Sequence, residues 1–165
     1  SPGPSSAALE GARILAQCAG ADGMVGGQCI DLNSEGKDVD LALLREMDLG
    51  KTVALISAAC QMGCVAAGAG EERLKSARSY AEGIGMAFQI RDDILDVLGD
   101  AATLGKNVGM DGARDKRNYV SLLGVEKAQQ LVDSFTAQAE QVLDSFPGDT
   151  NFLKGLARQL ATRKV

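Results

Sequence analysis

The run from Glu71 to Leu98 constrains the fold more than any other part of the chain. Leu74, Ala77, Tyr80, Ala81, Ile84 and Phe88 recur along it at steps of three and four, the spacing that lines side chains along one face of an α-helix. It predicts one long helix with a buried stripe, and such a stripe needs other helices to cover it. Strand-type alternation appears nowhere with comparable strength. Aromatic residues make up only 4% of the chain, while 20 glycines accompany abundant Ala and Leu, a composition suited to closely approaching helices. The expected fold class is all-α, a helical bundle or part of one. At 165 residues the chain is about one domain.

The remaining punctuation predicts further helices. The segment 1–6 (SPGPSS) is a tail or loop that precedes a helix over about Ala7–Ala19. A second, after a Gly-rich bend, spans Met24–Asp31 (MVGGQCID), whose glycines are poor helix formers and call for a packing or functional reason. Asn33–Lys37 is a turn, and Asp38 or Asp40 can cap a short helix ending at Met47. Helices over Lys51–Ala67 and Glu71–Leu98 flank Gly68–Gly70, and Gly99–Asn118 is a Gly-rich charged loop. Two final helices, Val120–Ser145 and Asn151–Thr162, are separated by Phe146–Asp149.

A net charge of -5 argues against nucleic acid and against a polybasic membrane contact. No apolar run approaches the roughly 18 residues of a membrane span, and no signal peptide is visible, so a cytoplasmic protein is expected. Cys18, Cys29, Cys60 and Cys64 sit among Ala and Gly without a CxxC pair and are expected to be reduced, mostly buried thiols. The chain has no histidine, which excludes Ser-His and Cys-His nucleophilic catalysis. Chemistry here must rest on carboxylates, lysines and metal.

Those carboxylates are concentrated in FQIRDDILDVLGD (Phe88–Asp100). On a helix, Gln89, Asp92, Asp93 and Asp96 fall at i, i+3, i+4 and i+7, one contiguous stripe. Like charges at that spacing cost stability. The other positions are apolar nearly all round, Arg91 excepted, which predicts a helix buried on most sides with its acids aimed into a polar interior. Buried carboxylates want cations; a solvated acidic face is the plainer alternative. Hard oxygen ligands point to Mg²⁺, which takes one or two protein carboxylates and completes its shell with water and phosphate oxygens. The following loop, LGKNVGMDGARDKRNY, supplies Lys106, Arg114, Lys116 and Arg117 as phosphate partners, and Lys51 with Thr52 opens an earlier helix. Gln28 and Asp31 of GQCID stand either as a core hydrogen-bond pair or as a polar patch on a cavity wall.

Two look-alikes fail. Gly50-Lys51-Thr52 lacks the first glycine of a P-loop, where Arg45 stands, and Gly83-Ile84-Gly85 has Phe88 in place of the third glycine of a dinucleotide fingerprint.

Four motifs in fixed order, GGQCIDL, GKTVALI, FQIRDDILD and LGKNVGMDGARDKRNYVSLLG, resemble the trans-prenyl (polyprenyl) diphosphate synthases, most closely the bacterial farnesyl diphosphate synthases. The resemblance runs from about Leu9 onward. It implies an isoprenoid-synthase-type helical bundle acting as a homodimer, and a Mg²⁺-dependent condensation of an allylic diphosphate with isopentenyl diphosphate that releases pyrophosphate. By position it implies Asp92, with Asp93 and Asp96, as the metal site. Lys51, Lys106 and Lys116 would hold the diphosphate. Thr52 and Gln89 would line the path of the allylic cation, with Gln28, Asp31 and Phe88 on the cavity. Arg117 and Asn118 depart from the Ser-Thr that related sequences often carry there. The family's first Asp-rich motif and its group for isopentenyl diphosphate find no match, so residues 1–165 are expected to be the C-terminal half of a synthase domain, inactive alone. Two other readings are a terpene cyclase, disfavoured by an intact DDILD and few aromatics, and a non-catalytic helical subunit that tunes an active synthase.

Overall fold

In the computed structural model, residues 4–103 and 117–164 are described, the side chains of 4, 5 and 100–103 excepted. All regular elements among them are helical: α1 (Pro4–Ala19), α2 (Met24–Ser34), α3 (Leu41–Asp48), a π-helical turn (Leu49–Val53), α4 (Ala54–Ala66), α5 (Glu71–Thr103), α6 (Tyr119–Leu123), α7 (Val125–Leu143) and α8 (Asn151–Thr162). The all-α expectation holds.

The long helix α5 is the axis of the fold. It packs against α4 and the π turn on one side and against α7 on the other, with α8 laid across α5 and α7 and α1 behind α4. Met86, Ile90 and Ile94 of α5 are fully buried between Leu44 and Val53 on one side and Ala128 and Val132 on the other. A second cluster joins Tyr80 and Ile84 to Ala139, Leu143 and Ala157, and the Tyr80 hydroxyl donates to the Leu153 carbonyl at 2.8 Å, tying α5 to α8. The apparent fingerprint glycines are packing devices. A Cβ on Gly83 would stand 2.8 Å from the Phe135 carbonyl oxygen, and one on Gly85 2.8 Å from Val53 Cγ2. They let α7 and the π turn approach α5 from opposite sides.

Several expectations need correction. Helix α1 begins at Pro4, so the segment 1–6 is not tail or loop over Pro4–Ser6. Helix α5 continues to Thr103, so Gly99–Thr103 is not loop. The helix expected over Val120–Ser145 is broken after Leu123, because Gly124 at φ 83° takes a conformation closed to most side chains. The helix expected from Lys51 begins as the π turn, with α3, the turn and α4 running on as one stretch. That stretch, Leu41–Ala66, has a mean hydropathy of 1.4 over an 18-residue window and is long and apolar enough, by length and composition, to cross a membrane; 22% of the window is buried. A search for uninterrupted apolar runs stops at Lys51 and misses it. The thiols are less buried than expected: Cys29 is exposed and Cys18, Cys60 and Cys64 are intermediate.

Candidate active site

The site is built where α2, α3, the π turn and α5 converge. Helix α2 crosses the π turn with almost no clearance: a Cβ on Gly27 would lie 2.2 Å from the Lys51 backbone nitrogen, and one on Gly50 2.8 Å from Gly27 Cα. This answers why GGQCID is rich in glycine. The crossing brings Asp31 of α2 to Lys51, whose Nζ donates to Asp31 Oδ2 at 2.5 Å. One residue on, Thr52 Oγ1 donates to Gln89 Oε1 at 3.1 Å, linking the π turn to α5.

A cavity of about 320 Å³ opens beside these contacts. It is lined by Asp31, Leu44, Met47, Asp48, Lys51, Gln89, Asp92, Asp93, Asp96, Arg117 and Asn118. Acids and lysine from three of the four motifs therefore meet, together with Arg117 from the fourth. Asn118 caps α6 by accepting from the Ser121 amide at 2.8 Å, while Ser121 Oγ accepts from the Asn118 amide. The cap sets the next residue, Tyr119, whose amide donates to Asp93 Oδ2 at 2.9 Å. Replacing Asn118 with alanine is expected to cost about 1 kcal/mol in urea unfolding, and to speed amide exchange at Tyr119.

The three acids of DDILD do not converge on one point. Among the described residues no group of three or more His, Cys, Asp or Glu side chains is placed to hold a metal by itself. Asp93 is buried at 9% exposure and bound to the Tyr119 amide, Asp92 forms an ion pair with Arg163, and Asp96 is exposed. Among the described side chains Ile94 is the last fully buried one on this helix, and Val97 and Leu98 are 37% and 50% exposed, so the expectation that Phe88–Asp100 is buried on most sides holds only for its first half. Gln28 is exposed, and the Phe88 ring lies under Arg163, whose Cζ is 4.0 Å from the ring centroid, rather than in the cavity lining. Lys106, Arg114 and Lys116 lie outside the described residues.

Sequence reasoning missed Asp48. It ends α3, is only 3% exposed, and its Oδ2 has no hydrogen-bond partner. Burial, then the Asp93 charge, with Lys51 opposing and Asp31 adding, push its carboxyl up to about 7. An orphaned buried carboxylate oxygen on the wall that also carries Asp92, Asp93 and Asp96 fits a cation in the cavity, since an added positive charge offsets both its desolvation and its repulsion from Asp93. The available signal was its spacing: Asp48 follows Leu44 by four residues on the face of α3 that enters the core. Arg163 was also missed, and nothing local marks it.

The polyprenyl synthetase family model matches residues 7–146. The chain belongs to the polyprenyl synthetase family. It is 44% identical over 154 residues to the farnesyl diphosphate synthase of Escherichia coli (strain K12), covering 90% of this chain and 51% of that protein. It is 38% identical over 151 residues to the chloroplastic geranylgeranyl pyrophosphate synthase of Catharanthus roseus, covering 90% and 42%. Among solved structures, the FPP/GFPP synthase of Zymomonas mobilis superposes with a TM-score of 0.80 at 34% identity, over 93% of this chain and 51% of that one. A Helicobacter pylori geranyltransferase complexed with magnesium and isoprenyl diphosphate superposes with a TM-score of 0.73 at 31% identity, over 94% and 51%. The polyprenyl synthetase chain described here thus spans about half the length of the relatives it matches.

Proposed function

We propose that this chain is the C-terminal portion of a Mg²⁺-dependent prenyltransferase of the farnesyl diphosphate synthase type, joining an allylic diphosphate to isopentenyl diphosphate with loss of pyrophosphate. The observation that carries the reading is the single cavity at which the GQCID acid, the GKT lysine and the DDILD acids meet. Cytoplasmic location, a homodimer, and a product of farnesyl length or longer belong to the same proposal.

Asp92, Asp93 and Asp96, with Asp48 on the same cavity, are the carboxylates that would hold Mg²⁺, which when bound neutralises charge on the leaving diphosphate. Lys51, Lys106 and Lys116 bind the diphosphate oxygens and stabilise the negative charge that grows as the allylic C–O bond breaks. The Asp31 carboxylate holds the Lys51 ammonium in place until the diphosphate arrives. Thr52 and Gln89, joined by their hydrogen bond, present oxygen lone pairs toward the allylic carbon as positive charge develops there. The isopentenyl double bond then attacks that carbon, the positive charge passes to the internal carbon of the former double bond, and a proton lost from the carbon beside it goes to the released pyrophosphate.

The chain alone is expected not to turn over substrate, because binding the second diphosphate needs residues it lacks; measurable condensation by the isolated chain would refute that. A chimera in which this chain replaces the corresponding half of the Escherichia coli enzyme is expected to condense the two diphosphates when Mg²⁺ is supplied. Asp92→Asn in the chimera should lower kcat/KM on the order of 100-fold. A folded chimera without activity overturns the proposal.

A further inference from the structure

Arg163, just after α8, is held at both ends by α5. Its carbonyl oxygen accepts from Arg91 Nε at 3.2 Å and from the neighbouring guanidinium nitrogen at 3.1 Å. The third guanidinium nitrogen of Arg91, Nη1, donates to Gln129 Oε1 at 3.1 Å. The Arg163 guanidinium lies over Phe88, its Cζ 4.0 Å from the ring centroid, and forms an ion pair with Asp92, the side chains being 28% and 37% exposed. Phe88 and Asp92 are one helical turn apart, so one face of α5 supplies both the platform and the counter-charge. Arg91, the one cation in the acidic segment itself, is turned away from the acids and toward the Arg163 backbone.

We propose that Arg163 is the resident counter-ion of Asp92, and that it sets the affinity and exchange of the divalent cation at this site by competing for the same carboxylate. The inference rests on the reading of Asp92 as a metal ligand. A guanidinium and a divalent cation cannot both have full use of one Asp92 carboxylate, so cation entry requires Arg163 to give up its ion pair. Such competition lowers apparent affinity by the strength of the pair it breaks. Because this pair is partly exposed, its strength is that of a modest ion pair, equivalent to roughly three- to five-fold in a binding constant.

Mn²⁺ binding, followed on the isolated chain by electron paramagnetic resonance, tests the proposal without any turnover. Arg163→Gln is expected to bind Mn²⁺ about four-fold more tightly than the unaltered chain, and Arg163→Lys to fall near the unaltered value. Phe88→Leu, which removes the stacking platform and leaves the carboxylates alone, should tighten binding about two-fold and serves if Arg163→Gln does not fold. In an Asp92→Asn background the effect of Arg163→Gln should vanish. Unchanged or weaker Mn²⁺ binding by both Arg163→Gln and Phe88→Leu, with Asp92→Asn still weakened, overturns the counter-ion role and leaves the metal reading standing. Mn²⁺ affinity indifferent to Asp92→Asn, or absent in every protein, overturns both.

Discussion

Gly27→Ala is expected to lower the stability of this chain by about 2 kcal/mol, read as a fall in the urea midpoint with an unchanged slope. Alanine is the better helix former by about 1 kcal/mol, and in open space it would stabilise. Position 27 has no space. The new methyl group would meet the Lys51 nitrogen at 2.2 Å and Gly50 Cα at 2.9 Å, and both are backbone atoms that cannot rotate aside. Helix α2 must therefore back away from the π turn, which opens the core and draws Asp31 off Lys51. Overpacking of this kind costs about 1–3 kcal/mol and at times more, enough to reverse the propensity gain. Gly63→Ala in α4, where nothing lies within 4 Å of the added methyl, is the matched control and should gain about 0.5–1 kcal/mol. Equal behaviour of the two variants would mean that the crossing is looser than described.

The second large effect is a pH dependence centred on Asp48. Its folded-state pKa of about 7 lies above the 3.8 of the free side chain, first because of burial and then because of Asp93. Between those two values the folded chain holds a proton that the unfolded chain has released, so stability falls as pH rises through the interval and levels off above about 7. At roughly 1.4 kcal/mol per pKa unit, the full loss is on the order of 4 kcal/mol. Asp48→Asn keeps the shape and removes the titration. In the absence of divalent cation the variant should exceed the unaltered chain by on the order of 3 kcal/mol at pH 8, and the difference should close near pH 4. A constant offset across that range would show that Asp48 is solvated in the folded chain.

Much of this molecule is legible locally. The stripe from Leu74 to Phe88 predicts α5, and Gln89 with the acids Asp92, Asp93 and Asp96 at i+3, i+4 and i+7 predicts that one face of its second half meets a cavity. Asp40 was one of two candidate caps for α3, and it accepts from the Leu43 amide at 2.8 Å. What escaped local reading depends on encounters between distant segments. The purpose of Gly27 is visible only when Gly50 lies against it, and Arg163 acquires meaning only when α8 brings it over Phe88, 75 residues earlier in the chain. Asp93 reads in sequence only as a companion of Asp92 in the acidic stripe, and it accepts from the Tyr119 amide, a partner that no side-chain pattern advertises. Gly124 ended a helix whose apolar spacing ran straight through it, because a positive φ outweighs periodicity at a single residue.

The π turn at Leu49–Val53 divides one continuous helical stretch into two segments of different rotational phase. A π turn carries a wider hydrogen-bond loop than an α-helix, so α3 enters it at one azimuth and α4 leaves it at another. Asp48 before the turn and Lys51 within it can thus both face the cavity, while Val53, at its end, faces Gly85 and the core. Removing one residue from the turn would swing α3 by about 100°, carrying Asp48 out of the cavity and an apolar neighbour into it. The chemistry of the wall is therefore tuned by the length of five residues as much as by their identity.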